Sequence, residues 1–541
     1  MKRSAAILFS SAWLAAAAAA SAGRPYQTHP WVGANYTAAY AVNQVQFWHD
    51  FRPKVIEREL AAAKKHLGVT SLRVYLHTIN FDKEKAAFLA NIEAFLTICD
   101  RNGIRPGFVF FDDCHRHKDI FLDKPTAPIK GYHNGRWAAC PQDRDRDAKA
   151  IETFKPYVQD VMRPHLADKR VLWWEIFNEP KRSSFSRALR KAAYGWAKQL
   201  KPAQPVISCW DDNEATDIVD AHNYRAAFGR WDRQTDLNPA KGCVFTEAGA
   251  RWYAPRPSNG EPCEVIHWLR GRKKAGKYVP GVYLCWELMV GNSNCRWYWG
   301  TKHGTPEPTV PWCGLLWPDG TPVSLAEAEA VRTYVTGKSG ALFFDDFQSV
   351  PAPQSRPGWT AYGASSAAGS RVLTVPAGVK MVAGRADWTD YVLEAVVMLR
   401  KDTGNAGLIF RVNDPAAGND RFRGYYVGFD TKVLHLGKMN PGWQPLAAFE
   451  LKDLDCKVIP GVWNQIRVAV QGGRIRVWFN RMHPSSDKAR GLRIDTTDKT
   501  RPVLSGAIGV RAHRTEAWFD NVVVLPIDLL PTPAPLEVKR E

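Results

Sequence analysis

Val171-Leu172-Trp173-Trp174-Glu175-Ile176-Phe177-Asn178-Glu179-Pro180 is apolar and aromatic until it breaks at Asn-Glu-Pro. Its length and composition are those of a buried strand. Pro180 cannot donate to a sheet ladder, so the strand is expected to stop there. Asn178 and Glu179 then stand at its C-terminal end. Glu175, inside the run, reads as a buried structural partner. A carboxyl group among aromatic rings tends to keep its proton, because desolvation disfavours the anion. Glu179 is therefore expected to be protonated near neutral pH.

Outward from this strand, short apolar runs alternate with amphipathic stretches. The runs are Trp31–Tyr36, Ser71–Leu76, Arg105–Phe111, Val171–Phe177, Pro205–Trp210, Ile218–His222, Gly242–Thr246 and Gly281–Trp286. Helical patterns fall at Lys54–Leu67, Phe88–Asn102, Ser184–Leu200, Glu264–Lys277 and Leu325–Tyr334, the last with a Ser324/Glu327 capping box. Strand–helix alternation implies parallel βα units. Eight of them in about 300 residues predict an α/β fold, a (β/α)8 TIM barrel. A doubly wound sheet is the alternative, but its early Gly-rich phosphate turn is missing.

The character changes at Phe343. Strand-like runs at Tyr391–Met398, Ala406–Val412, Tyr425–Phe429, Trp463–Val470, Ile475–Phe479 and Gly506–Arg511 are separated by turns such as Gln471-Gly472-Gly473. They predict an all-β sandwich. The expected organisation is a signal peptide over 1–22, a barrel over 23–338, a linker at 339–342, a sandwich over 343–527 and a Pro-rich tail over 528–541.

Lys2 and Arg3 ahead of an Ala-rich core and Ala20-Ser21-Ala22 read as an export signal cleaved near Ala22, giving a secreted or periplasmic protein. No later stretch is apolar enough to span a bilayer. Apolar residues at 45% and charged residues at 23% of the chain argue against disorder. The net charge of +19 is spread along the chain without a nucleic-acid motif, so nucleic acid is not an expected partner. A monomer is expected. Of ten Cys, Cys99, Cys209, Cys243 and Cys285 lie in apolar runs and read as buried thiols. Cys114 with Cys140, and Cys295 with Cys313, flank two loops and are the disulfide candidates.

Barrel chemistry gathers at C-terminal strand ends. Those ends offer Arg73, Asp112 and Asp113, Asn178 and Glu179, Trp210, His222 and Tyr224, Glu247, and Trp286 with Glu287. Glu179 and Glu247 would face each other across the mouth. Two carboxylates suffice for glycoside hydrolysis, and a gap of about 5–5.5 Å makes it retaining. No cofactor is required. Arg73 and the Tyr224 hydroxyl would keep Glu247 ionised; Asn178 would hold a sugar hydroxyl. Glu287 is the competing nucleophile. Twenty-two Trp suit both aromatic cores and stacking on sugar rings.

With those residues in place, 31–320 resembles the retaining (β/α)8 glycoside hydrolases of clan A, the cellulase-like group around family 5. The matching text is Asn178-Glu179-Pro180, His222-Asn223-Tyr224, Thr246-Glu247, Trp286 and Arg73. The resemblance implies Glu179 as acid/base, Glu247 as nucleophile, His222 and Tyr224 as its supports and Trp286 as a sugar platform. Phe111-Asp112-Asp113-Cys114 and His133-Asn134-Gly135-Arg136-Trp137 depart from the group's usual text, and Trp137 or His115 is expected to touch sugar.

The C-terminal region resembles a concanavalin- or laminin-G-like sandwich, on Phe344-Asp345-Asp346-Phe347, Gly407-Leu408-Ile409-Phe410-Arg411 and Trp518-Phe519-Asp520-Asn521-Val522. That implies a carbohydrate-binding module. It also implies a possible structural calcium on Asp346 and Asp520. A similar sandwich occurs in proteins that cleave 3-keto-glycosides. The expected protein is a secreted retaining β-glycosidase acting on a polysaccharide or oligosaccharide. The rival is a catalytically silent glycan-binding or adhesion protein.

Overall fold

The computed structural model describes residues 30–114, 120, 122, 126–181, 183–209, 215–251, 261–348, 358–363, 371–440, 442–454, 457–481 and 491–533. The signal-peptide reading, His115, Trp210 and the end of the tail lie outside the described residues. Among the described residues no helix is long and apolar enough to cross a membrane.

The first region is a parallel barrel. Its strands are β1 (Trp31–Asn35), β2 (Ser71–Tyr75), β3 (Arg105–Asp112), β4 (Trp173–Asn178), β5 (Val206–Ile207), β6 (Val219–Asn223), β7 (Cys243–Ala248) and β8 (Gly281–Leu284). The hydrogen-bonded order is β5-β4-β3-β2-β1-β8-β7-β6. One parallel bridge, Ser208 to Val219, joins β5 to β6 and completes the ring. The strands read as continuous apolar runs because both faces are covered, by the barrel interior and by the helices. Gly107 of β3 lies opposite Trp173 of β4, and a Cβ there would sit 2.2 Å from the Trp173 ring.

Helices Pro53–Leu67, Thr78–Arg101, Lys155–Met162, Ser184–Gln199, Phe228–Asp236, Pro262–Lys274 and Leu325–Thr336 surround the ring. Ser324 caps the last one through the Glu327 backbone N–H. Predicted β5 was too long. Ser208 turns its N–H to the Thr216 hydroxyl, so the strand ends after Ile207. The helix Phe228–Asp236 was not expected, since only Trp231 and Thr235 are buried on it and its apolar stripe is thin.

The second region is a two-sheet antiparallel sandwich. One sheet runs Trp359–Tyr362, Lys380–Ala383, Ala507–His513, Asn405–Asn413, Arg423–Phe429, Val433–Met439, Trp443–Glu450. The other runs Leu373–Val375, Ala517–Pro526, Tyr391–Leu399, Trp463–Gln471, Arg474–Phe479, Leu492–Thr497, with Phe343–Asp345 added beside Ala517–Pro526. Alternate residues of both sheets form the core, among them Leu393, Leu408, Tyr425, Val468 and Val510.

The second sheet turns its outer face to the barrel. Val392, Ala469, Val523 and Leu525 pack against Leu325 and Ala326 at the start of the last barrel helix. Glu394 joins the seam, accepting from the Leu325 N–H at 2.6 Å and from Arg467 Nε at 2.7 Å. The expected linker is fixed rather than free: the Ser339 hydroxyl and the Gly340 N–H both bond Glu329 at 2.8 Å.

Candidate active site

Strand ends converge on a cavity of about 420 Å³ lined by Cys114, Tyr132, His133, Asn134, Trp137, Asn178, Glu179, Tyr224, Glu247, Trp286, Trp299 and Gly300. Glu179 follows β4 with φ of 43°, a strained conformation for a residue with a side chain. Glu247 lies within β7, and one of its oxygens and one of Glu179's are within 4.8 Å of each other.

Arg73, fully buried on β2, organises the floor. Its guanidinium grips Glu175 through Nε at 2.8 Å and Nη2 at 2.5 Å. Nη1 reaches Glu247 at 2.8 Å and Asn35 at 2.9 Å, and Nη2 reaches Asn178 at 2.7 Å. Such a fork holds several acceptors in fixed directions. The Tyr224 hydroxyl donates to the other oxygen of Glu247.

His222 stands between the carboxylates. Its Nδ1 is 2.7 Å from Glu179 Oε1 and 3.4 Å from Glu247 Oε2. Its Nε2 is 3.1 Å from the Thr246 hydroxyl, whose own proton goes to Asp220 Oδ1 at 2.6 Å. Thr246 must therefore accept from Nε2, which fixes one proton there. A second proton then lies between Nδ1 and Glu179. Burial alone would lower the imidazole, but the Glu247 charge and the bond to Glu179 outweigh it and raise His222 to about 9. Burial would likewise raise Glu179, but the His222 bond and charge hold it down to about 2. The sequence expectation weighed only the aromatic surroundings, which favour a protonated Glu179; the His222 bond and charge pull in the opposite direction.

Asp112 and Asp113 do not line the cavity. Asp112 accepts from Trp137 Nε1 at 2.7 Å, Asn178 Nδ2 at 2.9 Å and the Cys114 N–H at 2.8 Å; burial raises it to about 6. It anchors other residues instead of meeting sugar. Asp113 is spent on Arg146, the Lys181 N–H and the Ser186 hydroxyl. Asn178 lines the cavity, but its amide already serves Arg73 and Asp112. Trp137 meets Trp286 edge to face at 5.1 Å, and both line the cavity. Glu287 points elsewhere, accepting from Ser293, and burial raises it to about 7.

Sequence reading missed Tyr132, Trp299 and Cys114 as lining residues. The exposed aromatics of two long loops were the available signal. Both expected disulfides are absent: Cys114, Cys140, Cys295 and Cys313 are free thiols. Cys140 meets the Thr78 hydroxyl at 3.8 Å, Cys313 the Trp286 N–H at 3.4 Å and Cys295 the Met289 carbonyl at 3.4 Å. Cys99, Cys209, Cys243 and Cys285 are buried free thiols, as read.

The calcium candidates lie on the seam. Asp345 pairs with Val522, which brings Asp346 beside Asn521 and Asp520. Barrel residues Glu261 and Glu264 face them: Asn521 Nδ2 donates to Glu261 at 3.2 Å, and both glutamates raise Asp520 well above its ordinary value, after burial itself. Glu264 Oε2 and Asn521 Oδ1 are buried with no hydrogen-bond partner among the described residues. Glu264 Oε1 is paired with Arg371 at 3.1 Å, and among the described residues these carboxylates do not converge into a cluster of metal-ligand spacing.

The family described as a 3-keto-alpha-glucoside-1,2-lyase-like domain matches residues 354–525, which covers the sandwich and leaves the barrel outside. No curated protein matches the sequence. Similar solved structures include the endo-beta-1,4-mannanase from Thermotoga petrophila, 12% identical over 84% of this chain and 97% of that one, with a TM-score of 0.38. Another is GH5_18 from Streptomyces cattleya in complex with GlcNAc, at 13%, 58% and 82%, with a TM-score of 0.39. The carbohydrate-binding module CBM66 from Bacillus subtilis is 19% identical over 31% of this chain and 95% of that one, with a TM-score of 0.26. Likeness at these values carries no chemistry; the reaction has to be argued from the site.

Proposed function

We propose that the protein is an exported retaining β-glycoside hydrolase, with Glu247 as nucleophile and Glu179 as acid/base. The observation that carries this reading is the carboxylate spacing. An oxygen of each within 4.8 Å suits a retaining pair, about 5–5.5 Å apart, better than an inverting pair, about 6.5–9.5 Å apart. Arg73 and Tyr224 hold Glu247 in place for attack on the anomeric carbon.

His222 and Glu179 act as one proton-holding unit. The Glu247 charge is the largest influence holding the proton on the imidazole. As Glu247 bonds to the sugar, that charge is spent. The imidazole then releases its proton to Glu179 while the leaving oxygen becomes basic. In the second step Glu179 takes a proton from water, which attacks the glycosyl ester and frees Glu247. Trp286, backed by the buried Trp137, is the proposed platform for the sugar ring.

The sandwich is proposed to act beside the barrel as a carbohydrate-binding module. The test of the reaction is Glu247→Ala. We expect turnover of aryl β-glycosides to fall by about 10⁴-fold or more, with azide restoring part of it as the glycosyl azide of inverted configuration. Full activity in that variant would move the nucleophile elsewhere. A wild-type chain that binds glycan but releases no sugar would favour the silent binding protein.

A further inference from the structure

The loops after β1, β3 and β8 are laced together over one side of the barrel mouth. The β3 loop meets the β8 loop through His133 Nδ1 and the Trp297 carbonyl at 2.7 Å, Asn294 Nδ2 and the Ile129 carbonyl at 2.7 Å, and the Gly304 N–H and the Lys130 carbonyl at 3.1 Å. The β1 loop is tied to both: Asn43 Nδ2 donates to the Arg136 carbonyl at 2.8 Å, and Asn292 Nδ2 donates to the Tyr40 carbonyl at 2.9 Å. His133, Asn294 and Trp297 are buried, so these ties are shielded from water.

The wall continues past β8. Trp299 and Trp312 reach Tyr224 of the β6 end, with ring centroids at 4.6 and 5.6 Å. It therefore runs from β3 through β1 and β8 to β6, around the Glu247 side of the cavity. None of these ties crosses the arc at β4, where Glu179 stands. At the rim the wall shows two exposed aromatics, Tyr132 at 36% and Trp299 at 43%.

A chain cut internally must leave the site on both sides of the scissile bond. Here the nucleophile's side is walled, and among the described residues no such tie crosses the proton donor's side. The sugar attached to Glu247 is the glycone, and the group that Glu179 protonates is the remainder of the chain. We infer that the cavity takes the non-reducing end of a β-linked oligosaccharide and releases its terminal sugar, with Tyr132 and Trp299 as the rim contacts. This rests on the hydrolase reading above.

The experiment uses the full chain with β-linked oligosaccharides of several backbones, labelled at the reducing end, and with soluble polymers of the same sugars. Stepwise shortening by one sugar from the unlabelled end, with little fall in polymer viscosity, is the expected result. Trp299→Ala should raise KM for these substrates several-fold. Internal cuts with a rapid viscosity loss would overturn the end-acting inference and leave the hydrolase reading standing. Absence of hydrolysis of every oligosaccharide, polymer and aryl glycoside would overturn the hydrolase reading, and this inference with it.

Discussion

The barrel mouth and the seam between barrel and sandwich are both buried and both rich in carboxylates, yet they are built on opposite terms. At the mouth, every acid has a cationic or hydrogen-bonding neighbour: Glu175 and Glu247 share Arg73, and Glu179 faces His222. At the seam, Glu394 is matched by Arg467 and Glu264 by Arg371, but Asp520 is raised by burial and by Glu261, Glu264 and Asp346. Compensated charge gives fixed geometry, which chemistry needs. A buried carboxyl raised by its neighbours gives a joint that depends on pH.

The largest effect expected on this contrast comes from Arg73→Met. It leaves Glu175 and Glu247 buried without their partner, at a cost of about 3–5 kcal/mol, and abolishes turnover. Chemical denaturation and aryl-glycoside assays would show both losses; an active, stable variant would mean that the mouth does not rest on this cation. Next comes Glu394→Ala, which strands Arg467 and leaves the Leu325 N–H without its acceptor. We expect a destabilisation of about 3 kcal/mol and early exposure of Leu325 to protease, with kcat nearly unchanged. If kcat fell as steeply as stability, seam and mouth would not be separable.

A smaller effect lies in pH. His222 is raised, so its contribution to stability is complete below about 6.5 and is lost as pH climbs through about 9. Glu179 is lowered, so its contribution is present above about 4.5 and fades as pH falls toward 2. The alkaline limb of kcat/KM is thus expected near 9, and Thr246→Val, which removes the acceptor at Nε2, should shift it. An unchanged limb would remove His222 from the proton path.

Strand order and strand-end residues were legible because a barrel exports them to sequence as apolar runs ending in polar residues. Asn178-Glu179-Pro180 and Thr246-Glu247 mark the sites where those runs break. The protonation of Glu179 was not legible, because its cause is a histidine on another strand whose tautomer is set by Thr246 and Asp220. The roles of Asp112 and Asp113 were hidden for a similar reason. A carboxylate at a strand end looks the same whether it meets sugar or an indole N–H. The seam was missed although Val522-Val523-Val524-Leu525 is a continuous apolar run, the mark of a strand covered on both faces.

Among the described residues the ring of staves closes between β5 and β6 through a single bridge, Ser208–Val219, and β6 is the stave that bears His222. Thermal breathing should begin at that join, and its first casualty is the imidazole's alignment with Glu179. Warming should therefore silence the enzyme before the barrel melts, and amide exchange at Ile207 and Val219 should report the onset.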